Sequence, residues 1–158
     1  MNNDIKQVSL ADIFPVMEEQ LKNGGTVVFK PKGISMLPLI RQGIDSVLIK
    51  SPKFPLKKYD IPLFRRKDGS FILHRILKVC NDGTYVVCGD NQTVLEYGVR
   101  DEQIIGVVEG IYRDKKFVSV SNFIYKIYSR SLWIRRLWRK SFIRRAVKGV
   151  LRRCRLIK

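Results

Sequence analysis

Two β-prone runs, Phe71 to Cys80 and Tyr85 to Cys88, flank Asn81-Asp82-Gly83-Thr84, and no other stretch constrains this chain as strongly. Asp-Gly between such runs is a hairpin signal, because a tight two-residue turn needs positive φ at both central positions. With Asp82-Gly83 as the loop, Cys80 faces Tyr85, Arg75 faces Asp90 and His74 faces Asn91. One bulge would shift every pair beyond it. This register also separates Cys80 from Cys88. With Cys154, the cysteines number three and lack CxxC spacing, so they build no disulfide framework. Reduced thiols are the expectation.

The rest of the first 120 residues reads the same way. Ser9 can cap a helix from Leu10 to about Lys22, with Pro15 in its second turn and Asn23-Gly24-Gly25 as its stop. Strands are expected at Thr26 to Phe29, Ser46 to Ile49, Ile61 to Arg65, Gln103 to Val108 and Phe117 to Val120. Pro62 points to an edge for the third of these, and Pro52 and Pro55 make their segment a loop. A chain of 158 residues suits one main domain. The expected class is mainly β, with an N-terminal helix.

Charge divides the sequence in two. Residues 121–158 hold 13 Lys/Arg and no acid, whereas residues 1–120 carry 18 basic and 14 acidic groups. In this tail Phe142, Ile143, Ala146, Val147, Val150, Cys154 and Ile157 recur at helical spacing, with Arg144, Arg145, Lys148, Arg152 and Arg155 on the other side. That is a basic amphipathic helix. Ile124, Ile127, Tyr128, Ile134 and Trp138 form a second stripe upstream. A cationic helix with Trp133 and Trp138 fits an anionic membrane surface, and nucleic acid is the lesser rival. The expected division is a folded domain over 1–120 and a basic tail over 121–158. Met1 to Lys6 lacks the apolar core of a signal peptide, and no run reaches the ~18 apolar residues of a membrane span. A cytoplasmic protein is expected, peripheral at the inner face of the membrane if the tail binds there.

Candidate chemistry lies at a few positions. In Gly33-Ile34-Ser35-Met36-Leu37-Pro38 a hydroxyl sits on a turn between two apolar segments, with Gly and Pro able to hold it on a rigid bend. A serine there is either a nucleophile or a turn residue bonding its own backbone. His74, the single histidine, shares a strand face with Ile72 and Ile76, as a core residue or as a general base. Lys78 has the same parity and is a rival base. One histidine completes no ordinary zinc site, so no metal is expected.

Taken together, Gly33 to Pro38, His74-Arg75-Ile76 and Gly89-Asp90-Asn91 resemble the three boxes of type I signal peptidases. These belong to the S24/S26 peptidase group, which includes the LexA-type self-cleaving repressors. Tyr59 to Phe64 and Gln103 to Val108 resemble the group's intervening strands, so the likeness spans about residues 24–113. It implies a LexA/signal-peptidase-like β-rich catalytic domain, a serine endopeptidase without cofactor or metal, and Ser35 as nucleophile. His74-Arg75 stands where the bacterial branch has Lys-Arg, which is similar to the His branch and favours His74 over Lys78. That branch carries an orienting Asp just beyond Gly-Asp-Asn; Glu96 stands there, one methylene longer. Asp90 is then expected to pair across the hairpin with Arg75. The substrate implied is an extended leader or signal peptide with small residues before the cut. Self-cleavage is not expected, because the 34 residues before Ser35 hold no Ala-Gly pair. The sequence departs from the family in its basic tail and in lacking an N-terminal anchor. The alternative from another class is a non-catalytic binding module on the same fold.

Overall fold

A computed structural model describes residues 10–132, with side chains from residue 13 onward. The Ser9 cap and the stripe from Phe142 lie outside the described residues. The chain divides into two compact units, residues 1–120 and 121–158.

The first unit is mainly β. Helix α1 spans Leu10–Lys22, tolerates Pro15, and ends where Gly24 N–H and Gly25 N–H donate to the carbonyls of Leu21 and Gln20. Paired bonds of this kind satisfy carbonyls that the last turn leaves open. Met17 and Leu21 are its buried side chains, and Phe14 packs on Phe71.

Nine strands follow: β1 Thr26–Phe29, β2 Ser46–Lys50, β3 Pro62–Arg65, β4 Phe71–Leu73, β5 Arg75–Val79, β6 Tyr85–Cys88, β7 Glu96–Val99, β8 Ile104–Arg113 and β9 Lys116–Ser119. One antiparallel sheet runs β1-β2-β8-β3-β4, with β9 also paired to β8; a second runs β5-β6-β7. The ten-residue β8 is the spine of the first sheet. Its early residues pair with β3, its middle with β2 and its end with β9. Asp114 and Lys115, both at positive φ, make the tight turn into β9. A cluster of Leu56, Phe64, Ile76, Tyr85, Val87, Val99 and Ile104 joins the two sheets.

Four expectations need correction. The run from Phe71 to Cys80 is not one strand: it breaks at His74, where the chain leaves the first sheet for the second. Next, β3 is interior, between β8 and β4, and Pro62 is buried. Pro62 opens the strand, where a missing N–H costs least, and the Ile61 carbonyl accepts from Val108 N–H at 3.0 Å instead.

The third correction concerns hairpin register. Cys80 N–H donates to Thr84 O at 2.8 Å and Gly83 N–H to Cys80 O at 3.2 Å, so the loop has three residues, 81–83. Gly83 supplies the left-handed position of such a loop, at φ 76. Tyr85 therefore faces Val79, not Cys80. A bulge between Ile76 and Lys78 shifts the ladder again, so Arg75 faces Cys88 rather than Asp90. Fourth, β7 was not anticipated. Its pairing slips between Tyr85↔Val99 and Val87↔Glu96, around Gly98 at φ 75, and that bulge erases the alternation that marks a strand.

In the second unit a helix, α2, occupies residues 123–132. Asn122 caps it, its side-chain oxygen accepting from Ile124 N–H at 2.9 Å. Among the described residues no helix is long and apolar enough to cross a membrane.

Candidate active site

The site is built on the bend between β1 and β2. Gly33 sits at φ 97, a conformation L side chains rarely adopt. Beyond it the backbone turns tightly, Leu37 N–H donating to Ile34 O at 3.2 Å and Ile40 N–H to Met36 O at 3.0 Å. Met36 and Ile40 bury their side chains and leave Ser35 half-buried.

Distant parts of the chain fix this bend. Asn91 N–H donates to the Ser35 carbonyl at 2.7 Å, and Asn91 Nδ2 donates to the Ile34 carbonyl at 3.2 Å. Arg113, at the end of β8, donates to the Pro38 carbonyl at 3.1 Å. Downstream, Asp45 is fully buried and accepts from the backbone and guanidinium of Arg41, at 2.8 and 2.7 Å. Burial alone would push the Asp45 carboxyl up, but the Arg41 hydrogen bonds and charge outweigh it and hold it below the usual carboxylate range.

Gly89 is the closest point of approach. A Cβ built there would fall 2.6 Å from the Ser35 carbonyl oxygen and 2.9 Å from Ser35 Cβ. Only a residue without a side chain lets the hairpin backbone lie against the bend. The hairpin thus places Gly89 against Ser35, 54 positions away, while the Arg75–Asp90 pair ties the residue after His74 to the residue after Gly89.

His74 is buried where the chain changes sheets, edge-on to Phe64 with ring centroids 6.3 Å apart. Ile76 and Ile72 pack in the cluster that contains Phe64, so the apolar setting expected for the imidazole is present. Its Nδ1 lies 3.8 Å from Glu96 Oε2, outside hydrogen-bond range. The direct Glu96–His74 hydrogen bond expected from the sequence is therefore absent, although the carboxylate is adjacent. Arg66 holds Glu96 bidentately, at 2.8 and 2.6 Å. That hydrogen bond raises the Arg66 pKa. Arg66 was invisible in the sequence, one of several cations in a polar turn between β3 and β4.

Asp90 pairs with Arg75, Nε to Oδ1 at 2.8 Å and Nη2 to Oδ2 at 2.7 Å. The two are diagonal across the hairpin, not opposite, and both side chains are fully buried. The ion pair expected from the sequence is thus present, and it is buried. Lys78 is exposed and lies beyond the bulge.

Ser35 lines a groove of about 610 Å³. Phe29, Met36 and Leu73 give it apolar walls, and the exposed Lys30 and Lys32 add positive charge; no described lining residue is acidic. His74 is not among the lining residues, but its neighbour Leu73 is. Phe29 ends β1, and Phe71, Ile72 and Leu73 are β4, so the groove lies between the two terminal strands of the first sheet. Among the described residues no group of His, Cys, Asp and Glu is arranged to hold a metal ion. Comparison with protein-family models, curated proteins and solved structures finds no match for this chain.

Proposed function

We propose that the chain is a serine endopeptidase with a LexA/signal-peptidase-like catalytic domain, cleaving extended peptides through Ser35 and His74. One observation supports this reading: the stretch 89–91 meets 33–38 through the Asn91 hydrogen bonds and the Gly89 contact, and meets 74–75 through the Arg75–Asp90 pair.

The chemistry follows from the groups present. Ser35 Oγ attacks the scissile carbonyl as its proton passes to His74. The imidazolium then protonates the leaving amine, and water hydrolyses the acyl-enzyme by the same route. Transfer requires Oγ and the imidazole nitrogen to come within about 2.6–3.2 Å, a contact that tightens in many sites only when substrate binds. Glu96, steadied by Arg66, lies next to the imidazole, where a fixed negative charge favours the cation formed during attack. Backbone N–H groups of the bend, that of Ser35 included, meet the developing oxyanion.

The groove supports an extended substrate, whose backbone can add to an open strand edge while alternate side chains enter the apolar walls. Its volume leaves room for residues larger than the small ones the family resemblance implies. The test exposes the purified protein and Ser35→Ala to a peptide library, with cuts read by mass spectrometry. Ser35-dependent cuts with a common residue pattern support the reading. Cuts that persist in Ser35→Ala, or peptide binding with no cut, defeat it, and the second outcome identifies a binding module.

A further inference from the structure

We propose that α2 docks on an anionic lipid bilayer through an apolar stripe formed by Phe123, Ile124 and Ile127. Phe123 and Ile124 are each 75% exposed and Ile127 is 53% exposed. At 100° per residue these three fall on one side of the helix. The covered side chains, Tyr125, Ser129 and Leu132, fall on the other. The stripe is therefore the exposed side of α2. It is not a frayed end, because Asn122 caps the helix beneath Phe123 and Ile124.

Charge selects the occupant. Lys126 and Arg130 are exposed and flank the stripe, and residues 121–158 hold 13 cations and no acid. Beyond the described residues the sequence continues the same spacing with Ile134 and Trp138. A nucleic acid would engage the cations but leave Phe and Ile in water. A bilayer with anionic headgroups meets both demands, taking the apolar stripe below the headgroups while Lys and Arg reach phosphate. This proposal does not depend on the activity of the Ser35 groove.

The full-length protein is tested by co-sedimentation with vesicles of phosphatidylcholine alone and with added phosphatidylglycerol. Both tryptophans of the chain lie just past the stripe, at 133 and 138, so their emission supplies a second readout. Binding to the anionic vesicles should exceed that to neutral ones at least tenfold. It should weaken with salt without vanishing, and shift Trp emission to the blue. Phe123→Ser/Ile124→Ser/Ile127→Ser should lose at least tenfold in binding while keeping the wild-type circular dichroism. Binding unchanged in the triple variant overturns the proposal, as does binding to DNA but not vesicles. Self-association abolished by the triple variant, without vesicle binding, overturns it in favour of a second copy as the occupant.

Discussion

Gly89→Ala tests the packing on which the catalytic reading stands. The new methyl would lie 2.6 Å from the Ser35 carbonyl oxygen, 2.9 Å from Ser35 Cβ and 3.1 Å from Gln92 Oε1. Gln92 is exposed and can swing aside. The Ser35 backbone has no such freedom, since bonds from Asn91 and Arg113 hold the bend on both sides of it. Ordinary contact begins near 3.4 Å, so the bend and hairpin must part by about 0.8 Å. Overpacking of this kind costs about 1–3 kcal/mol. A nucleophile displaced by about 1 Å loses on the order of 10²-fold in rate. The assay is kcat/KM on the best library peptide, beside a thermal melt of the same sample. We expect a loss near 10²-fold with Tm lower by several degrees. Gly33→Ala is the control. There the methyl meets nothing within 4 Å but φ is 97, so it strains the backbone without a clash. It should cost about 1 kcal/mol and less activity. Wild-type kcat/KM and Tm in Gly89→Ala would refute the close approach.

Three further outcomes are expected. Ser35→Ala and His74→Ala should each lower kcat/KM by ~10³-fold or more, the double variant little further, whereas exposed Lys78→Ala keeps most activity; the reverse pattern in steady-state assays would restore a Ser–Lys pair. Glu96→Gln should reduce kcat by ~10²-fold or more and lower Tm only slightly, because its pair with Arg66 is partly exposed; full activity would remove Glu96 from the site. Asp45 governs acid stability: its carboxyl is depressed in the folded state, so its contribution is complete above the ordinary carboxylate range near pH ~4 and is lost as pH falls through the folded value. Asp45→Asn should therefore melt lower than wild type at neutral pH and show a flatter decline in Tm below pH ~4; parallel curves would contradict this.

What was legible in the sequence was whatever local chemistry decides. The helix ending before Asn23-Gly24-Gly25, the strand at Tyr85 to Cys88 and the Asp-Gly hairpin depend on residues within a few positions of one another. Register does not. The three-residue loop and the bulge at Leu77 each move it, and neither leaves a mark in composition. The break at His74 was hidden for a related reason. Phe71 to Val79 is uniformly β-prone, and only tertiary pairing, β4 with β3 and β5 with β6, divides it. Arg66 and β7 went unseen because a cation in a polar turn and a strand bulged at Gly98 resemble any solvated segment.

The Arg75–Asp90 pair explains how a hairpin with two register shifts can still deliver Gly89 to Ser35. Hydrophobic alternation fixes register only where it is unbroken, and here it is broken at 77 and at the loop. A bidentate ion pair with both side chains fully buried tolerates no slip: moving either strand by one residue would strand an uncompensated charge, a cost of roughly 3–5 kcal/mol. Arg75 is further tied to the Tyr59 carbonyl at 3.1 Å, in the segment leading into β3. Residues 75 and 90 each adjoin a site residue, His74 on one strand and Gly89 with Asn91 on the other. On the proposed catalytic reading, the pair that aligns the hairpin also fixes the strand position of His74 relative to Gly89 and Asn91, which contact the serine bend. Asp90 is held bidentately by Arg75, and Glu96 Oε2 lies 3.8 Å from the imidazole Nδ1.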